Sequence, residues 1–206
     1  MKNKDIFTFR DAEKQAGPVA FSTMLKPAGS ACNLDCHYCY YLDKAVQYGG
    51  KQAVMSDELL ELYVKQYIGA NDVDTVQFCW HGGEPQLLGV DFYRRAMAFQ
   101  QKYADGKRIE NTLQTNGTLV DEAWCDLFAG NNFLVGISLD GPQDIHDTFR
   151  LTKGGRPTFE RVMQTISMFQ RSGVEYNTLS VVNRLCEGRG GEIYRFFRDT
   201  VHSRYM

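Results

Sequence analysis

The sequence predicts an α/β protein built as a partial, open barrel, and three observations predict it. Strand-like and helix-like stretches alternate along the chain, as in a parallel sheet covered by helices. The distinctive polar and Gly-rich segments fall just after the strands, where parallel α/β folds bind ligands. About five β-α units are present, with the possible start of a sixth. That falls short of the eight of a closed barrel, so a (βα)6-type open barrel is expected, truncated after about five units.

Each element has its own reason. Residues 19–26 read as a strand stopped at Pro27, and 56–69 as a helix. Ser56 is its candidate N-cap, Asp57 and Glu58 sit in its first turn, and Leu60, Tyr63, Val64, Tyr67 and Ile68 share one face. Residues 75–80 (TVQFCW) read as a strand apolar on both faces. Helix 91–104, strand 109–114, helix 121–129 and strand 133–139 follow. Helix 158–171 is closed by Gly173; then come strand 175–182, helix 191–199 and the tail HSRYM, where another strand begins. Right-handed crossovers put the helices on one side of the sheet. Without a low-complexity linker, the expectation is one core domain over 19–206, incomplete at its C-terminal end, preceded by an arm over 1–18.

Composition excludes several function classes. The 206 residues are 43% hydrophobic and 23% charged, which is the balance of a folded chain. With 23 basic against 25 acidic residues, there is no electrostatic case for nucleic acid or an anionic membrane surface. No run of 18 apolar residues would span a bilayer, and the first 17 residues lack the apolar stretch of a signal peptide. A cytoplasmic location is expected, and six cysteines there do not suggest a disulfide framework. Cys79, Cys125 and Cys186 are scattered and read as small buried hydrophobes.

Cys32, Cys36 and Cys39 are crowded within eight residues, which puts three thiolates within reach of one metal centre. Soft thiolates favour zinc or an iron–sulfur cluster. A structural zinc site closes with four ligands, and neither a second CxxC nor the adjacent His37 supplies a fourth here. A four-iron cubane on three cysteines keeps one iron open to a small molecule. The loops after the other strands are HGGEP (81–85), QTNGT (114–118) and SLDGP (138–142), with Asn183 after the fifth. Asp140 starts a DGP turn.

Cys32-x3-Cys36-x2-Cys39, with Tyr38 before the last cysteine, resembles the signature loop of radical S-adenosylmethionine enzymes, and GGEP resembles their second motif. MLKPAGSACNLDCHYCYYLDKA, HGGEP, LQTNGTLVDEAWCDLF and FLVGISLDGPQDIHDTFR together are similar to the anaerobic sulfatase-maturating enzymes, over roughly residues 19–206. The resemblance implies a [4Fe-4S] cluster on Cys32, Cys36 and Cys39. It implies S-adenosylmethionine contacts from Gly82, Gly83, Glu84, Gln114, Ser138 and Arg150, with Tyr38 beside the cluster. Tyr41, His81 and Asn116 match positions on the substrate side. The implied reaction oxidises a Cys or Ser of a sulfatase polypeptide to Cα-formylglycine through a 5′-deoxyadenosyl radical, with flavodoxin or ferredoxin as electron donor. The family's general base and its C-terminal region of auxiliary clusters are expected beyond Met206. The competing readings are another peptide-modifying enzyme of the same kind, and a non-catalytic metal-binding module.

Overall fold

Five parallel strands form one sheet in the order β1-β2-β3-β4-β5: Met24–Leu25, Thr75–Trp80, Arg108–Thr115, Phe133–Ser138 and Glu175–Leu179. The computed structural model describes residues 20–42, 44, 54–203 and 205, together with Thr8, Arg10 and Asp11. The expected arm over 1–18 otherwise lies outside the described residues. Helices α1 (Asp57–Ala70), α2 (Val90–Tyr103), α3 (Glu122–Gly130), α4 (Gln143–Phe149), α5 (Phe159–Ser172) and α6 (Gly190–Arg195) connect and follow the strands. Sequential strand order with helical crossovers winds the chain in one sense and leaves the strands' carboxyl ends on one rim.

Local chemistry sets the helix limits. The Ser56 hydroxyl accepts the Leu59 N–H at 3.2 Å, and the Asp121 carboxylate accepts that of Trp124 at 3.1 Å. Such caps contribute about 1 kcal/mol each. Helix α5 ends on Gly173, whose φ of 67° is the left-handed conformation that glycine adopts without strain. The start of α5 is held from outside, because one Asp147 oxygen accepts both the Thr158 and Phe159 N–H groups at 2.9 Å.

The core lies between the sheet and the helices. Val76, Phe78 and Trp80 of β2, Leu113 of β3 and Phe133, Val135 and Ile137 of β4 are buried there with Leu60, Val64, Tyr93, Phe128 and Phe169. Asn111 is polar within this layer but satisfied, accepting from Trp80 Nε1 at 2.8 Å and exchanging two bonds with Gln100 at 2.9 Å.

Several expectations are corrected. Strand β2 is not apolar on both faces: Thr75 and Gln77 are exposed and Cys79 half-buried, because the helices cover only one face of the sheet. The first strand pairs only at Met24 and Leu25, and the fifth stops at Leu179. Asn183 instead caps a short 3-10 turn, Arg184–Cys186, accepting the Leu185 N–H at 2.9 Å. The last helix widens into a π-type turn over Phe196–Thr200. Helix α4 was not foreseen, since only Ile145 and His146 of its seven residues are buried and it has no periodic stripe to read. The tail does run along β5: the Thr178 N–H donates to the Tyr205 carbonyl at 3.3 Å, and Ser203 shares a 2.8 Å bond with the Thr178 hydroxyl. Among the described residues, no helix is long and apolar enough to cross a membrane.

Candidate active site at the carboxyl ends of the strands

The segment after β1 carries Cys32, Cys36 and Cys39, and its backbone is fastened on two sides. Towards β2, the N–H groups of His81, Gly83 and Glu84 donate to the carbonyls of Leu25, Gly29 and Ala31 at 2.7, 3.0 and 2.7 Å. Towards α4, the N–H groups of Asp35 and His37 donate to the carbonyls of Leu151 and Phe149 at 2.8 and 3.1 Å. This contact requires glycine at 83, where a Cβ would lie 2.1 Å from the Ala31 oxygen. At Gly82, φ is 126° and a Cβ would lie 2.7 Å from the Gly29 oxygen. The close approach that these glycines permit is therefore made to the cysteine loop itself.

Glu84 is 0% exposed. Its carboxylate accepts the Gln86 N–H at 3.0 Å, the Thr115 hydroxyl at 3.0 Å and the Asn116 N–H at 2.8 Å. Burial pushes its pKa up to about 7 against the pull of those donors. Asn116 extends the connection. Its Nδ2 donates to Asn33 Oδ1 at 2.9 Å and reaches Cys32 Sγ at 3.8 Å, while its Oδ1 accepts from the Thr118 N–H and hydroxyl at 2.9 and 2.7 Å. Asn33 in turn donates to the Thr118 hydroxyl at 2.8 Å. Loops from three strands are thus joined through side chains around Cys32.

On the α4 side, Arg150 Nε lies 3.1 Å from the Asp140 carboxylate, with side-chain exposures of 10% and 0%. The same carboxylate accepts the Tyr38 hydroxyl, whose pKa is raised chiefly by burial, and the Arg150 guanidinium lies 5.5 Å from the centre of the Tyr38 ring. Phe149 packs 5.6 Å from that ring and meets His37 edge-on at 6.4 Å. On the uncovered sheet face, Gln114 Nε2 donates to the Ser138 hydroxyl at 3.1 Å. Gly136 leaves room for this: a Cβ there would lie 2.1 Å from Gln114 Oε1.

Tyr41 is buried, its ring tilted against that of Tyr40 at 4.3 Å, with Lys26 Nζ 5.2 Å from its ring centre. His81 Nδ1 accepts the Gly82 N–H at 2.7 Å, and burial lowers the imidazole's pKa. Every predicted site residue therefore lies on the carboxyl-end rim or the adjoining sheet face. Sequence reasoning missed Asn33, Thr115, Thr118, Asp140 and His146 as parts of this network. Of these only Asp140 carries a signal in the sequence, the DGP at the end of β4, which leaves a site role and a turn-only role equally open.

The donor set is three thiols on one loop, the soft ligands that an iron–sulfur cluster takes. All six cysteines are free. Cys32, Cys36 and Cys39 interact electrostatically with one another, and burial pushes the Cys36 thiol up to about 11, so a metal's charge would be needed to hold it as thiolate. Among the described residues, no three His, Cys, Asp or Glu side chains converge on one ion. Cys125 is buried in the core, while Cys79 and Cys186 are half-buried.

A parallel, one-sidedly covered sheet with a pinned three-thiol loop on its rim defines a class: α/β proteins that carry a thiolate-bound cofactor at the strand ends. The chain belongs to the Radical SAM superfamily, whose family model matches residues 27–186. A [4Fe-4S] cluster and S-adenosylmethionine are the cofactors of that family's fold. The chain is 48% identical over 177 residues to the serine-type anaerobic sulfatase-maturating enzyme of Bacteroides thetaiotaomicron, covering 85% of this chain and 43% of that one. It is 41% identical over 181 residues to the cysteine-type enzyme of Clostridium novyi, covering 87% and 48%. A solved structure described as native anSMEcpe with bound AdoMet and a peptide superposes with a TM-score of 0.82 at 36% identity, covering 89% of this chain and 49% of that one. Streptococcus suis SuiB, at a TM-score of 0.62 and 16% identity over 84% and 37%, shares the fold alone. The chain spans about half the length of the curated relatives it matches.

Proposed function

We propose that this chain is the core of a radical S-adenosylmethionine enzyme that oxidises a Cys or Ser of a sulfatase polypeptide to Cα-formylglycine. The observation that carries the reading is the pinning of the three-thiol loop, by the Gly83–Glu84 backbone and by Asn116, at the rim where the strands end. The identities to serine-type and cysteine-type sulfatase-maturating enzymes support the substrate class.

Cys32, Cys36 and Cys39 would hold the cluster, and three ligands would leave one iron open to S-adenosylmethionine. When bound, the cluster supplies the electron that splits the sulfonium into methionine and a 5′-deoxyadenosyl radical. The protein's share is orientation and exclusion of water. Gly82 and Gly83 bring the β2 rim against the cysteine loop, and Glu84 fixes that rim to β3. Arg150 offers a guanidinium to a carboxylate, and its stacking with Tyr38 keeps it beside the loop. Gln114 and Ser138 present a joined pair of polar groups on the open sheet face. Tyr41, His81 and Asn116 form the substrate side. A flavodoxin or ferredoxin would deliver electrons, and residues 19–206 act as one core domain.

Anaerobic reconstitution with iron and sulfide tests the reading. About four irons per chain are expected, with 5′-deoxyadenosine released from S-adenosylmethionine under reduction and formylglycine found by mass spectrometry on a sulfatase peptide. One zinc per chain without iron or sulfide would overturn it. A thioether product in place of formylglycine would reassign the substrate.

A further inference from the structure

Asp140 is held from several directions that have nothing to do with a metal. Its Oδ1 accepts the Val181 N–H at 3.0 Å, from the segment after β5. Its own N–H donates to His146 Nδ1 at 3.4 Å. His146 is fully buried in α4, and its Nε2 lies 3.0 Å from the Thr158 hydroxyl. That hydroxyl gives its proton to the Arg150 carbonyl at 2.7 Å, so the imidazole must be the donor to Thr158. His146 is therefore neutral, protonated on Nε2, in keeping with the burial that lowers its pKa to about 4. This one ring fixes the backbone at Asp140 and, through Thr158, at Arg150.

The free end of Asp140 then does two things. Oδ2 anchors the Tyr38 hydroxyl, which fixes the turn between Cys36 and Cys39. It also faces Arg150 Nε at 3.1 Å, although that N–H is not aimed along a hydrogen bond. The Nε–H is thus held beside Asp140 by charge rather than by an aligned bond, which leaves it a donor for a carboxylate.

We propose that Asp140 is a positioning residue of the cofactor site, setting where Tyr38 and Arg150 stand beside Cys36 and balancing the Arg150 charge there. The inference rests on the cluster reading above for its electrochemical consequence, but not for its geometric one. A buried negative and a buried positive charge close to a cluster move its reduction potential in opposite directions.

The test uses Asp140→Asn, Arg150→Gln and the double variant. Asparagine keeps the shape of Asp140: its Oδ1 can accept the Val181 N–H while its NH2 donates to a Tyr38 hydroxyl turned round to accept, so the fold is retained but the charge-assisted hold on Tyr38 is replaced by a weaker neutral bond. In the metal-free protein, amide exchange at Cys39, whose N–H donates to the Cys36 carbonyl at 2.9 Å, should speed up about tenfold in Asp140→Asn and stay unchanged in Arg150→Gln. In the reconstituted protein, the cluster potential should rise in Asp140→Asn, fall in Arg150→Gln, and return close to wild type in the double variant. A merely structural role would lower iron content alike in both single variants and give no opposed shifts. Unchanged Cys39 exchange in Asp140→Asn overturns the positioning role. Potentials that shift with the same sign in both variants, or not at all, overturn the charge balance. A wild-type chain that takes up no iron overturns the cluster reading, while the exchange measurement still decides the role of Asp140.

Discussion

The Asn116 backbone N–H donates to the Glu84 carboxylate at 2.8 Å, joining the loop after β3 to the loop after β2 deep inside the rim. Asn116 also touches Cys32, so a residue remote from the thiols in sequence helps to decide where the first of them stands.

Replacing Glu84 with Gln tests that relationship. Every group around the carboxylate donates, so an amide NH2 must face a donor and leave at least one buried bond unmade. A loss of about 2 kcal/mol is expected in urea unfolding. Iron uptake should fall with it, because Asn116 loses its anchor.

Gly83→Ala should be more severe. The added methyl would stand 2.1 Å from the Ala31 carbonyl oxygen, a backbone atom that cannot swing aside. Separation of the β2 rim from the cysteine loop is expected, at a cost of about 3 kcal/mol. Amide exchange at Glu84 would report it directly, as loss of protection in the metal-free protein.

Among the cysteines, Cys36→Ala should remove most of the reconstituted cluster's visible absorbance. Cys125→Ala should leave that absorbance intact and cost about 1 kcal/mol of stability, as a buried apolar group does. Equal loss of absorbance in both variants would refute the ligand assignment.

His146 gives a pH signature. Its pKa is about 4 in the fold and about 6.5 for a free imidazole, because burial and the nearby Arg150 outweigh Asp140 and Asp147. Between those values the unfolded chain binds more protons. The contribution is therefore fully present above about pH 6.5 and lost as pH falls towards 4, on the order of 3 kcal/mol in all. Glu84 works with the opposite sign, since its pKa is raised to about 7 by burial and it favours the fold as pH falls. The comparison is therefore between wild type and His146→Gln, whose stability should fall less steeply from pH 7 to 4.5. Identical slopes would show that the imidazole is not buried neutral.

Much of the fold was legible because it rests on local rules. Helix α1 lies within one residue of its expected limits because Ser56 caps it and Leu60, Val64, Tyr67 and Ile68 recur at helical spacing. Strand β2 matched its expected range from a run of strand-forming residues, yet its two faces were misjudged. Nothing within six residues tells whether a second helical layer covers a sheet. Helix α4 escaped for a related reason: its hold on the protein comes from His146 and from pairing with the cysteine loop, and neither leaves a periodic trace.

By itself the sequence determined the alternation of strands and helices, the placing of polar loops after the strands and the three-thiol loop. These follow from side-chain periodicity, turn chemistry and the soft-ligand character of sulfur, all properties of neighbouring residues. Only the tertiary structure decided that Gly83 presses on Ala31, that Glu84 spends its carboxylate on Thr115 and Asn116, and that Asp140 joins Tyr38 to Arg150. Apart from Asp140 and Arg150, ten positions from each other, those partners lie 31 to 102 positions apart in the chain. Burial made the pairings necessary, since a carboxylate closed off from water must find its donors wherever the fold brings them.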